Sequence, residues 1–406
     1  MRKLDNDLLE TALLFILVFN ILQVYKISNQ LILTAVVSLV LIFLIISFND
    51  DFLKTKFSFK KYRLFLVFAI AFVLWGYLIS DAALARIYNP RYSIHDGAII
   101  TEESYRAIFE KKNPYSISFE DLYRQQDNYQ EKVEHGEVDR NNYSPVAFFI
   151  NFPVFGATGY FFNFIDMRVT AVIGLFVAAF LATLVIKEKI LFLILFLFNP
   201  VFAKSVYFGA NDVFILFFLI LCIVFLNFKK IIFATFALAL GVCTKLLFLP
   251  FVPLYFLYLS ALGISKNSLK NNFLIFFIIS LSIYLPFFLM NPKDFLDDMF
   301  VYNFFGGSLG RPIAGFVGIP QFLNKFGIVA ANSSFPYFIL LIPLSLIFLY
   351  LSANLMMRRP SPQLLVLLYA SFFILVFSFS RIVQSDYLSY LSQVLLFSVF
   401  LQKKRG

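Results

Sequence analysis

Charge is scarce in this chain. Only 14% of its 406 residues are Asp, Glu, Lys or Arg, against about a quarter in an ordinary soluble domain. Two cysteines, two histidines and one tryptophan are present. Cys222 and Cys243 both fall in apolar runs, so no disulfide framework can be read. With His95 and His135 as the only imidazoles, a His/Cys zinc site has no basis either. No Gly-rich nucleotide-binding fingerprint occurs, and no polar segment is large enough to form a domain for nucleotide sugars. What is present in excess is hydrocarbon: 60% of the residues come from the set AVILMFWYC, and 57 are Phe. That composition excludes a disordered chain, a soluble enzyme and a secreted disulfide-stapled module. It fits an all-α polytopic protein whose solvent is mostly lipid.

A membrane-crossing helix needs about 20 apolar residues. Twelve stretches qualify as candidates: 8–25, 31–48, 63–82, 167–186, 190–207, 211–228, 231–243, 247–262, 272–290, 335–355, 363–380 and 386–402. The first follows Met1-Arg2-Lys3 but has no small-residue cleavage site and runs into a second span, so it is read as a helix and not as a signal peptide. With both termini in the cytoplasm, the connections on that side hold Lys54, Lys56, Lys60, Lys61, Lys187, Lys189, Lys229, Lys230, Lys266, Lys270, Arg358 and Arg359, and the tail adds Lys403, Lys404 and Arg405. The short opposite connections carry little positive charge, as the positive-inside rule asks. The formal charge of +10 is therefore an orientation signal of a multi-pass cell-membrane protein, and nucleic acid is not expected as a partner.

The acids sort the other way. Eleven of the 24 lie between Asp96 and Asp139, within one outer loop of about sixty residues. A loop that long is usually functional. It carries Ile94-His95-Asp96-Gly97, a helix-like run to Lys112 that Thr101 is expected to cap, then Asn113-Pro114-Tyr115 and a polar stretch, Glu120–Arg140, expected to be helical. From Tyr143-Ser144-Pro145 an apolar stretch reaches Phe162, broken by Asn151, Pro153, Gly156 and Gly159. It is expected as an interfacial or re-entrant helix. The whole chain, 1–406, is read as one domain with an extra N-terminal hairpin (1–62), the large outer loop (83–162) and a second outer loop (291–334).

Five local patterns resemble the membrane-embedded GT-C glycosyltransferases, and within them family 87, which is related to a polyprenyl-phosphate-mannose-dependent mannosyltransferase. They are Asp96 with Asn113-Pro114-Tyr115 after it; Tyr143-Ser144-Pro145, where the family usually has Tyr-Pro-Pro; Gly209-Ala210-Asn211-Asp212; Gly241-Val242-Cys243-Thr244-Lys245; and Ser380-Arg381-Ile382-Val383 with Tyr387. Their order spans residues 63–402, while the hairpin at 1–62 has no place in the pattern. The resemblance implies an inverting transferase that moves a hexose, mannose foremost, from a polyprenyl-phosphate donor to a glycolipid or cell-envelope glycan at the outer face.

A lipid-phosphate sugar leaves without a proton, so one carboxylate base is enough, unlike the pair that hydrolytic glycosidases generally use. The resemblance places that base at Asp96, with Asp81 as the substitute and loop-fixing as the plain alternative. Lys204, Lys245, Arg311 and Arg381 lie at outer helix ends or loops, where the departing phosphate needs cations. The alternative for each is snorkelling to lipid headgroups. Arg311 stands in the flexible segment Gly306–Pro312. Asn211 and Asp212 read as a helix cap, as sugar-binding groups, or as charge partners of Lys204 or Lys245. Tyr143 and Tyr387 are candidates for sugar or headgroup contact, Tyr387 equally for an interfacial anchor. His95 is a candidate for a substrate hydroxyl. A divalent ion at Asp294, Asp297 and Asp298 is the one cofactor left open, a solvated acidic face being the alternative. The competing function is a transporter or flippase of lipid-linked sugars, which should show internal repeats. None is visible, since the loop at 83–143 has no counterpart in the second half.

Overall fold

The computed structural model describes residues 2–25, 29–49, 60–88, 94–123, 141, 143–162, 165–302, 313–315, 317–331, 333 and 337–402. Over these residues the regular structure is helical apart from one two-residue parallel strand pair and an isolated bridge between Ile186 and Leu401. Helices α1 (Arg2–Val24), α2 (Gln30–Asn49) and α3 (Lys60–Tyr88) open the chain. The hairpin α1–α2 packs on α3, and Arg63 forms an ion pair with Glu10 across it. Next come α4 (Asp96–Phe109), α5 (Glu120–Tyr123), α6 (Pro145–Phe149) and α7 (Phe152–Phe162). The central bundle is α8 (Met167–Ala182), α9 (Lys189–Leu197), α10 (Pro200–Phe208), α11 (Asp212–Asn227), α12 (Ile231–Val242) and α13 (Phe251–Ala261), this last preceded by a 3-10 turn at Leu246–Phe248. Then follow α14 (Lys266–Met290), α15 (Pro292–Leu296) with a π-turn at Asp297–Val301, β1 (Ala314–Gly315), α16 (Ile319–Lys325), α17 (Phe338–Arg358), α18 (Pro362–Ser378), β2 (Ile382–Val383) and α19 (Ser385–Phe400).

A helix occupies each of the twelve apolar stretches, but length divides them. Four are long and apolar enough to cross a membrane: Gln30–Ser47, Tyr62–Arg86, Lys266–Met290 and Ile339–Arg358. A fifth is obtained if α9 and α10, bent by 52° at their junction, count as one span. The expectation of twelve spans is thus corrected to four or five by length and composition. The remaining apolar helices run 10–17 residues, and 16 residues reach roughly 24 Å against a hydrocarbon core of about 30 Å. The reason is local. Lys229-Lys230 and Lys245 bound short apolar stretches at their ends, and Pro250 holds the start of α13 back to Phe251.

The bend between α9 and α10 shows how the breaks are satisfied. Asn199 Oδ1 accepts the amide hydrogens of Val201 and Phe202 at 3.0 and 3.3 Å, and Pro200 begins α10 where no amide donor is needed. On the other side, the Trp75 indole donates to the Leu197 carbonyl at 3.1 Å, supplying a partner that the broken helix lacks. The continuous core of this bundle runs from Leu14 through Trp75, Phe214 and Tyr255 to Tyr390, and α11 is almost wholly enclosed. By contrast α14 and α17 leave most of their apolar surface uncovered, as helices facing lipid do.

The first long loop departs from expectation in two places. Its helix begins at Asp96, capped by His95, and Thr101 lies a full turn inside with its hydroxyl donating to the Gly97 carbonyl at 2.8 Å. The cap moved because an imidazole nitrogen can accept an amide hydrogen as a hydroxyl does. The stretch from Pro145 is two helices broken only at Ile150-Asn151, with Pro153, Gly156 and Gly159 inside α7. Of the expected helix at 120–140, Glu120–Tyr123 is helical and the rest lies outside the described residues.

Candidate active site

The N-terminal end of α4 is where distant segments meet. His95 donates its backbone N–H to the Phe208 carbonyl at 2.7 Å, joining the start of α4 to the end of α10. Gly209 then turns the chain in the left-handed region (φ +79°), where a Cβ would stand 3.0 Å from Ala98 Cβ and 3.2 Å from Arg168 Cγ. Gly97 is equally constrained, because a Cβ there would overlap the Tyr143 hydroxyl. Tyr143 thereby lies against Gly97, the residue after Asp96.

His95 Nδ1 lies 3.0 Å from the Gly97 amide and 3.0 Å from Asp96 Oδ1. A neutral ring bare at Nδ1 accepts from Gly97, and a ring protonated there donates to Asp96. Asp96 Oδ1 also accepts from the Gly97 amide at 2.9 Å, and its side chain is 35% exposed, so it is open to solvent. His95 Nε2 faces Asp386 Oδ2 at 3.6 Å. Asp386 stands in the first turn of α19 and accepts the Ser205 hydroxyl at 2.6 Å through Oδ1.

Asp212 and Lys245 form the neighbouring pair, 2.7 Å apart, with Asp212 buried. Burial works against the Lys245 charge, but Asp212, Tyr387 and Asp386 outweigh it and hold the ammonium pKa above its ordinary value. The Lys245 ammonium also lies over the Tyr387 ring, 5.1 Å from its centroid, and that ring packs on Phe377. Asn211 makes no side-chain cap to α11. Its amide reaches Thr101 Oγ1 at 3.5 Å. Of the readings open for these two residues, the geometry realises the Lys245 charge pair.

The structure therefore gathers His95, Asp96, Tyr143, Asn211, Asp212, Lys245 and Tyr387. Arg381 sits in a different set of contacts, donating to the Ala331 carbonyl at 3.3 Å with its guanidinium 5.9 Å from the Tyr337 ring centroid. Burial lowers its pKa and Tyr337 opposes that. β2, which follows it, pairs with β1. Lys204 is exposed on α10 over Phe208. Arg311 and its glycine-rich segment lie outside the described residues. Asp81 is exposed on α3.

Two groups escaped the sequence reading. Asp386 adjoins the noted Tyr387, and an acid in the first turn of the last helix was the available signal. The other is a buried cluster beneath α4. Arg86 holds Glu102 through two bonds of 3.0 and 2.7 Å and reaches Asp166 at 3.1 Å. Arg168 pairs with Asp166 at 2.6 Å and donates to the Ala82 carbonyl, and Glu102 accepts the Met167 amide. Two cations and two anions ground α4 on α3 and α8.

Among the described residues no three His, Cys, Asp or Glu side chains converge as a metal site. Asp294 accepts the Asn291 side-chain amide at 2.6 Å within its own helix cap, and Asp298 accepts the Asn141 backbone amide at 2.8 Å, so of these two acids Asp298 is the one that ties the two loops together. No protein family, curated protein or solved structure matches this chain.

Proposed function

We propose that this chain is a polyprenyl-phosphate-sugar-dependent hexosyltransferase of the GT-C kind, inverting, with mannose the first sugar to test and a glycolipid or envelope glycan as acceptor. In this reading the helices of spanning length set the bundle in the membrane with the shorter apolar helices enclosed in it, both termini on the cytoplasmic side and α4 at the outer face.

The observation that carries the reading is the convergence of an exposed carboxylate with a buried, charge-paired lysine. Asp96 and His95 meet Asp386, and Lys245 stands between Asp212 and Tyr387. Asp96 accepts the acceptor hydroxyl proton as that oxygen attacks the anomeric carbon. The bond from that carbon to the phosphate oxygen breaks with inversion, and the polyprenyl phosphate leaves with the electron pair. Lys245 stabilises the charge that develops on the phosphate, the kind of preorganised electrostatics that supplies most of such a rate. A carboxylate base contributes about 100- to 10,000-fold.

The test is transfer from radiolabelled polyprenyl-phosphate-mannose to crude envelope lipids by the purified protein in lipid. Wild-type transfer that vanishes in Asp96→Asn, with donor binding retained, supports the reading and the base together. Transfer that survives moves the base to Asp81. No wild-type transfer from any lipid-linked sugar overturns the enzyme reading in favour of transport.

A further inference from the structure

The two histidine nitrogens have different neighbours, and the one facing away from Asp96 meets a residue to which the mechanism above gives no task. Asp386 is anchored on both sides. The hydroxyl of Ser205 donates to Oδ1 at 2.6 Å, Ser389 donates to the Asp386 carbonyl at 2.7 Å, and the two serine oxygens are 2.9 Å apart. Proton accounting fixes the direction. The Ser205 proton goes to the carboxylate, which leaves the Ser389 proton to serve the carbonyl and Ser205. Asp386 thus receives a donor on Oδ1 and presents Oδ2 towards His95 Nε2, 3.6 Å away.

The far nitrogen is where Asp386 acts. An Nε2–H directed at a carboxylate leaves Nδ1 bare, and a bare Nδ1 accepts the Gly97 amide hydrogen, shared with Asp96 Oδ1, which is the bond that caps α4 at its start. With the opposite tautomer, Nδ1–H points at Asp96 Oδ1 and competes for the lone pair that an acceptor hydroxyl would use. The groups that face this imidazole are Asp96 on α4 and Asp386 on α19, with Lys245 beyond Asp386.

We propose that Asp386 is a positioning residue: through His95 Nε2 it fixes the imidazole tautomer, keeping His95 as the cap of α4 and an Nδ1 proton off Asp96. The kinetic consequence rests on the glycosyltransferase reading, whereas the tautomer does not.

His95 and His135 are the only histidines, so a His135→Gln background leaves a single imidazole to observe. The protein, labelled with 15N-histidine and held in lipid nanodiscs at about pH 8.5, where an ordinary imidazole is neutral, is read by long-range 15N–1H correlation. The expected result is an Nε2–H tautomer that becomes a mixture in Asp386→Ala and returns in Asp386→Glu. Ser205→Ala keeps the carboxylate and removes only its anchor. It should show a detectable Nδ1–H fraction, and it carries the same test should Asp386→Ala not fold. In the transfer assay Asp386→Ala should lower kcat on the order of 100-fold, as a displaced catalytic group does, with the donor KM within a factor of two. An Nδ1–H ring in the wild type, or a spectrum unchanged in Asp386→Ala and Ser205→Ala, overturns the proposal even if the wild type transfers sugar. A tautomer that responds while no protein transfers sugar sustains this inference and refutes the enzyme reading alone.

Discussion

The Lys245 ammonium lies 2.7 Å from Asp212 Oδ1, at the head of a helix whose other polar atoms are nearly absent. The lysine side chain is 17% exposed and the aspartate 1%, so both charges depend on each other more than on water. Removing one partner strands the other. Lys245→Met is expected to destabilise the fold by about 3–5 kcal/mol, as broken buried pairs do. The double variant Lys245→Met/Asp212→Asn should regain most of that loss without regaining transfer, which unfolding in detergent and the transfer assay read separately. The pH dependence has a definite sign. Lys245 is a base whose folded pKa is raised, so its stabilisation is complete below the ordinary lysine value of about 10.4 and fades only as pH rises through the folded value. The difference between wild type and Lys245→Met/Asp212→Asn, in which no charge is stranded, should therefore stay flat across the neutral range.

Asn141 ties the first long loop together through its side chain, while its backbone N–H donates to Asp298 of the second. Its side-chain amide donates to Ser104 Oγ at 2.9 Å and to the Pro114 carbonyl at 3.0 Å, and its oxygen accepts the Tyr143 amide. Asn141→Ala leaves a buried carbonyl and a buried amide unpaired. The expected cost is about 2–3 kcal/mol, with faster proteolysis of the 83–162 segment as the local readout.

Glu102 and Glu103 are adjacent and should behave oppositely. Glu102→Gln leaves Arg86 and Arg168 with a single buried carboxylate, Asp166, and should cost about 3–5 kcal/mol. Glu103 pairs with Arg106 at the surface, and Glu103→Gln should change stability by less than about 1 kcal/mol. Parallel thermal melts of the two variants decide it.

Gly209→Ala forces an alanine into left-handed backbone and presses its Cβ on Ala98. The strain alone is worth about 1–2 kcal/mol. Adding Ala98→Gly should recover the contact and leave the strain, so the double variant should melt between Gly209→Ala and wild type.

Helix positions were legible in the sequence because apolar runs are a local property. Each expected stretch, such as 211–228 or 363–380, carries a helix, α11 and α18 in these two cases. Helix lengths were less legible, since apolar composition does not register that Pro250 holds the start of α13 back to Phe251. The cap of α4 was read at Thr101 because hydroxyls cap most often, whereas His95 takes that place once Phe208 holds its backbone. Asp386 was passed over because an acid in a first helical turn is ordinary until the fold sets it against His95.

By itself the sequence determined that this is an all-α chain of membrane type, and which stretches are helical. Both follow from hydrophobicity summed over neighbours. Only the tertiary structure decided which helices reach spanning length and which polar groups share a site. Asp386 approaches His95, and Arg86 holds Glu102 and Asp166, only because separate helices bring them together. Pairing across the fold is what makes the burial of Arg86, Glu102 and Asp166 affordable, and contacts between separate helices are not a property of local composition.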